Sequence, residues 1–162
     1  MATKKTKRKK QKPIQSTKNS TSWIYGGIIA LLAFLLYANT LSHDYALDDY
    51  SVLKDNYVTQ EGASAIPTIF KTHFRYGYKN WSSAGELYRP VTLSAFAIQW
   101  NISPDNAGFY HLVNVLLYAL SGFLIFVTLA NILQGYSLLI PFFASLLFVA
   151  HLRAASGSDL PH

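Results

Sequence analysis

Three stretches of the chain carry no charged residue, and they set its architecture. The first, WIYGGIIALLAFLLYANTL, covers residues 23–41, close to the roughly 20 apolar residues that a bilayer-crossing helix needs. Trp23, Tyr25 and Tyr37 stand near its ends, where amphipathic rings settle at the membrane–water boundary. The second, FYHLVNVLLYALSGFLIFVTLANIL, covers 109–133, and a tight QGYS turn leads from it into a third at 137–151. Pro141 inside this third span is tolerable where neighbouring groups re-satisfy the carbonyl that a proline frees. Residues 42–108 read differently, with turn signals QEGASAIP, SSAGE and SPDNAG among scattered aromatics. Within them RPVTLSAFAIQWNI, residues 89–102, is too short to cross. Leu93, Phe96, Ala97 and Trp100 recur there at i, i+3, i+4 and i+7, which gives a helix one apolar face. Such a helix is expected to lie in the membrane interface.

Charge gives this pattern an orientation. Eight of the fourteen Lys and Arg residues fall in the first eighteen positions. The tail 1–22, basic and nearly without apolar residues, is expected to be disordered and cytoplasmic. An apolar run follows it directly, so the basic cluster reads as a topology signal, and no nucleic-acid partner is expected. That run is longer than the core of a cleaved signal peptide and has no small-residue cleavage site after it, so it reads as a retained anchor. The loop 42–108 is then extracytoplasmic, and the third span brings His151 out on the same side. Seven of the eight acids lie between Asp44 and Asp105, inside that loop.

Composition agrees. Only 14% of the residues are charged, against about 25% in an ordinary soluble domain. With no cysteine in the chain, disulfides and Cys-ligated metals are excluded. The expected fold is an all-α membrane protein, with about three transmembrane helices and an extracytoplasmic loop carrying an interfacial helix.

The polar residues of the loop and span ends are the candidates for chemistry. Asp48 and Asp49 adjoin in YALDDYSVLKDNYV, just outside the first span. Carboxylates there can brace a helix N-terminus, accept a proton from a hydroxyl nucleophile, or hold a hard divalent cation, Mg or Mn, beside a phosphate. Asp49 is the possible metal ligand; His43, Asp44 and Asp48 permit a metal site only weakly. Glu86 and Arg89 stand in ELYRPVT. An arginine can grip phosphate through two hydrogen bonds or snorkel at a helix head, and Pro90 suits that helix's first turn. His111 and Asn114 lie one turn apart at the outer end of the second span, where bonding between helices is the plain role. His151 ends the third span and is either structural or a ligand or phosphate donor.

In order along the chain, YANTLSHDYALDDYSVLKDNYV, ELYRPVTLSAFAIQWNI, FYHLVNVLLYALSGFLI and FFASLLFVAH resemble the N-terminal part of the C-superfold (GT-C) membrane glycosyltransferases. The transmembrane-and-tetratricopeptide O-mannosyltransferases and their bacterial relatives are the nearest group. The resemblance covers residues 23 to 151. It implies a polyprenyl-phosphate sugar as donor and transfer to an extracytoplasmic protein or glycan hydroxyl. It implies a catalytic base at Asp48 or Asp49, donor-phosphate contacts from Arg89 and His151, and support from Glu86, His111 and Asn114. Inversion at the anomeric carbon would follow from direct displacement.

Three segments are therefore expected: a basic tail at 1–22, the N-terminal part of a glycosyltransferase domain at 23–151, and a polar tail at 152–162. Where such proteins continue with His-Pro after this point, His151 is followed by Leu152, and the tail reads as a truncation. Two rival readings stand beside this one. One is a non-catalytic membrane protein whose acidic loop binds a partner or an ion; the other is an inserted but unstable fragment.

Overall fold

The structure is a computed structural model and describes residues 20–46, 49–78 and 87–156, with only the backbone given at Ser20 and 152–156. The basic tail up to residue 19, Asp48, Glu86 and the last six residues lie outside the described residues. Helices and helical turns make up the rest, with no strand among the described residues. Helix α1 (Ser20–Tyr37) leads into a 3₁₀ turn, Ala38–Ser42. Short helices α2 (Tyr57–Gln60) and α3 (Ile66–Ile69) follow, then α4 (Pro90–Ile102), α5 (Ala107–Ile132) and α6 (Leu139–Ser156). The stretches Thr21–Ser42 and Ala107–Ile132 are long and apolar enough to cross a bilayer, while the apolar part of α6, Leu139–His151, is shorter. The chain is an all-α membrane protein.

The side chains sort into two separate cores. The membrane core joins α1, α5 and α6 through Ile29, Ala33, Ala119, Phe126 and Val149. Lipid is as apolar as leucine, so helices in a bilayer associate by close packing at small residues. Gly122 shows this: a Cβ there would stand 3.1 Å from Val149 Cγ2 and 3.3 Å from Ile29 Cγ2. The Tyr118 hydroxyl donates to the Val149 carbonyl at 2.9 Å, tying α5 to α6. The QGYS turn forms as the sequence predicts, with Gly135 at φ 103°. Pro141 proves to be the third residue of α6, where its missing N–H would have had no helical partner. Helix α6 also runs on to Ser156, past the expected boundary at 151.

The second core belongs to the loop. Val52, Leu53, Val58, Ala65 and Ile69 pack with Tyr45, Leu93, Ala97 and Tyr110. The loop is thus a folded unit with its own apolar core, and burial of apolar surface away from water stabilises such a core. Helix α4 forms within one residue of its expected start, and the predicted face is the buried one: Leu93 and Ala97 lie inside, with Phe96 and Trp100 against them. That face meets the loop's own core instead of lipid. The two feet of the loop touch, since a Cβ on Gly108 would come 3.0 Å from the Leu41 carbonyl oxygen.

Candidate functional site

The loop emerges from α1 through Thr40, whose hydroxyl donates to the Tyr37 carbonyl at 2.8 Å, taking one of the acceptors a helix end leaves open. The acidic segment follows. The Asp44 carboxylate accepts from the Tyr45 N–H at 2.8 Å. Asp49 is braced to Ala46 in both directions: its carboxylate accepts from the Ala46 N–H at 2.9 Å, and its own N–H donates to the Ala46 carbonyl at 3.0 Å. It precedes a π-helical turn, Tyr50–Lys54. Asp49 therefore closes a turn back to Ala46 and makes no side-chain cap bond to the helical turn that follows it. Asp48, between these two braced residues in sequence, lies outside the described residues, as does Glu86.

Span α5 supplies the other wall. Asn106 caps it by accepting from the Phe109 N–H at 3.2 Å. His111, in its second turn, brings Nε2 to 3.5 Å from the Asp44 carbonyl oxygen, so the acidic segment rests on the N-terminal end of this helix. Asn114 is exposed one turn further in. Arg89 is exposed before the first turn of α4, with its guanidinium 5.6 Å from the Phe74 ring centroid. His151 is exposed on α6, two residues beyond the Val149 that Tyr118 holds. Among the described residues no hydrogen bond or ion pair joins Arg89 or His151 to Asp49. No trio of His, Asp or Glu among them stands close enough to hold a metal.

The structure adds a cluster that the sequence reading passed over. The Lys54 ammonium lies 3.5 Å from an Asp105 carboxylate oxygen, and 5.5 Å and 5.9 Å from the Tyr45 and Tyr50 ring centroids. The ion pair is exposed and contributes little alone. With the two rings beneath the cation, it fastens the loop's first turn to the approach of α5. Fifty-one positions separate Lys54 from Asp105, and no local pattern announces their meeting. Tyr45 lies beneath, its ring against Tyr50 and Tyr110, each at 6.2 Å, its hydroxyl buried with no partner among the described residues.

Burial, and then the charges of Asp105, Asp44 and Asp49, push the Tyr45 phenol up to about 12. The sign follows from linkage. An unfolded tyrosine ionises near 10, so the folded state keeps its proton when the unfolded chain has lost it. Full stability is present below pH 10 and declines by about 1.4 kcal/mol per pH unit as pH rises toward the folded value. Tyr45→Phe is expected to flatten the alkaline limb of loop stability between these pH values. Hydrogen exchange of the loop amides, corrected for the intrinsic rate, measures it; an unchanged limb contradicts the assignment.

Comparison with known proteins places this site in context. The chain is similar to the human and the mouse "Protein O-mannosyl-transferase TMTC2", with 32% identity over 130 residues in each case. Each alignment covers 76% of this chain and 14% of the relative's length. No family model and no solved structure matches the chain. The similarity agrees with the likeness to O-mannosyltransferases that the four sequence stretches carry.

Proposed function

We propose that this chain supplies the acidic outer loop and first spans of a membrane protein O-mannosyltransferase with a C-superfold architecture. The observation that carries the reading is the 32% identity to proteins of that name across most of the chain. In the proposed topology the N-terminus is cytoplasmic, the spans cover about 23–41, 109–133 and 137–151, and the loop 42–108 faces outward. The donor is a polyprenyl-phosphate sugar and the acceptor a protein hydroxyl. Asp48 takes the acceptor's proton as its oxygen bonds to the anomeric carbon, and the bond from that carbon to the phosphate oxygen breaks with inversion. Polyprenyl phosphate leaves with the electron pair. Arg89 and His151 meet that phosphate, assisted by Glu86. Asp49 holds the segment through Ala46, and His111 and Asn114 present the outer end of α5 to it. No step is assigned to a divalent cation.

The test is transfer itself. The full-length protein, reconstituted with polyprenyl-phosphate mannose and an unfolded Ser/Thr-rich polypeptide, is expected to move labelled mannose to the polypeptide, and the donor to raise the protein's thermal midpoint in detergent. If neither transfer nor stabilisation occurs, the acidic loop binds something else and the glycosyltransferase reading fails.

A further inference from the structure

Asp48 and Asp49 are bracketed in sequence by two tyrosines, Tyr45 and Tyr50, and one cation reaches both rings. The Lys54 ammonium stands 5.5 Å from the Tyr45 ring centroid and 5.9 Å from that of Tyr50. Its partners are anchored elsewhere. Tyr45 packs on Tyr110 of α5 at 6.2 Å, and Tyr110 in turn packs on Phe96 of α4 at 6.1 Å. Asp105, 3.5 Å from the ammonium, lies in the link between α4 and α5. Its φ of 47° is a left-handed conformation that Asp and Asn adopt more readily than most residues. Asn106 pins that link, accepting from the Phe109 N–H and donating to the Ser103 hydroxyl at 2.9 Å. The backbone of Lys54 is held as well, its carbonyl accepting from the Gln60 side-chain amide.

We propose that Lys54 is a positioning residue for sugar transfer, its charge clasping both ends of residues 45–50 to the approach of α5. The role rests on the reading of this segment as the source of the base that activates the acceptor hydroxyl. The bonds between Asp49 and Ala46 are local; they shape the segment without placing it against the spans. Tyr45 places its first end through Tyr110. Lys54 links the second end, at Tyr50, to Asp105. A neutral side chain of the same length would fill the space but attract neither the ring faces nor the carboxylate. The magnitudes favour a role in rate over one in folding. An exposed ion pair or cation–π contact shifts a local equilibrium by about two- to fivefold, too little to decide whether the loop folds. A displacement of about 1 Å at a reacting group can cost about 100-fold in rate.

The test compares Lys54→Met, Lys54→Arg and Asp105→Asn in the full-length protein by two readouts. With polyprenyl-phosphate mannose and the polypeptide acceptor, Lys54→Met and Asp105→Asn are each expected to lower kcat by about tenfold, with the donor KM unchanged. The double variant Lys54→Met/Asp105→Asn should lose little more than Lys54→Met alone, because both changes break one clasp. Lys54→Arg keeps the cation over the rings and should stay within about twofold of wild type. Hydrogen exchange gives a readout independent of transfer. The Ala46 and Asp49 amides should exchange about tenfold faster in Lys54→Met, while Val58 and Thr59, bonded to Asn56 in the loop core, keep their wild-type rates. A wild-type kcat in Lys54→Met overturns the proposal. A raised donor KM with kcat unchanged also overturns it, because Lys54 would then serve the phosphate. Faster exchange at Val58 and Thr59 as well overturns it in favour of a purely structural lysine. Absence of transfer by the wild-type protein overturns the reading beneath it and not the clasp, which exchange at Ala46 and Asp49 then decides alone.

Discussion

Asn56→Ala is expected to unfold the loop between α1 and α5 while the membrane helices stay in place. Asn56 is fully buried at 0% exposure, and its amide bonds through both its oxygen and its nitrogen. Its oxygen accepts from the Val58 and Thr59 N–H groups at 3.1 and 3.2 Å, the donors that open helix α2. Its nitrogen donates to the Ser51 carbonyl at 3.2 Å, in the preceding π-helical turn. One side chain thus joins two elements of four and five residues, neither of which is stable alone. Alanine would strip the Val58 and Thr59 N–H groups of their acceptor in the buried core and remove the bond to the Ser51 carbonyl, at about 1–3 kcal/mol for each stranded N–H. The loss, roughly 3 kcal/mol or more, is a large share of what a unit this small commands. Thr59 strengthens the same joint, its hydroxyl donating to the Val52 carbonyl at 2.7 Å. Gly77 closes over it at φ 100°, and a Cβ there would collide with the Asn56 amide oxygen. Limited proteolysis between residues 50 and 78 should accelerate by about 100-fold, with helix content almost unchanged by circular dichroism. Asn56→Asp keeps the acceptor but loses the donor, and should fall between. A wild-type proteolysis rate in Asn56→Ala would mean that the loop core does not depend on this joint.

The contrast between this joint and the spans explains what was legible in the sequence. Helices α1 and α5 follow from long uncharged runs, because a bilayer asks only for length and apolarity. The inner face of α4 follows from the spacing of Leu93, Phe96, Ala97 and Trp100. What covers that face does not follow, since its partners come from turns of four or five residues with no period of their own. Asn56 had a local signal, an N-capping residue before the apolar-leading YVTQ, that the reading left unused. The meeting of Lys54 with Asp105, and of His111 with the Asp44 carbonyl, belongs to tertiary structure alone. Pro141 teaches a smaller lesson: a proline counted from the ends of an apolar run looked internal, yet the helix begins only two residues before it. At the acidic pair the helix-capping bond expected of such an acid is not made by Asp49, whose carboxylate turns back to the Ala46 N–H instead.

That division gives Asp48 and Asp49 different expected phenotypes. Asp48→Asn in the full-length protein is expected to lower the rate of sugar transfer by about 10²–10⁴-fold, the range a positioned general base contributes. An amide cannot accept the acceptor's proton, so the residual rate should also lose its dependence on pH through the carboxylate range. Asp49→Asn should behave otherwise. The amide oxygen can still accept from the Ala46 N–H, and the Asp49 N–H still donates to the Ala46 carbonyl, so transfer should fall by less than about tenfold, with its pH profile intact. Asp49→Ala removes the side-chain half of the brace to Ala46, at a cost of about 0.5–1.5 kcal/mol, the net worth of one such hydrogen bond. Its loss should appear first as faster proteolysis of the loop. Binding of the donor, followed by the shift in thermal midpoint, should survive in both asparagine variants, because neither carboxylate is assigned to the phosphate. If Asp49→Asn is the inactive variant and Asp48→Asn the active one, the two roles are exchanged. If both are inactive with donor binding lost as well, the pair acts together on the phosphate side, and the assignment of a hydroxyl-activating base to this segment fails.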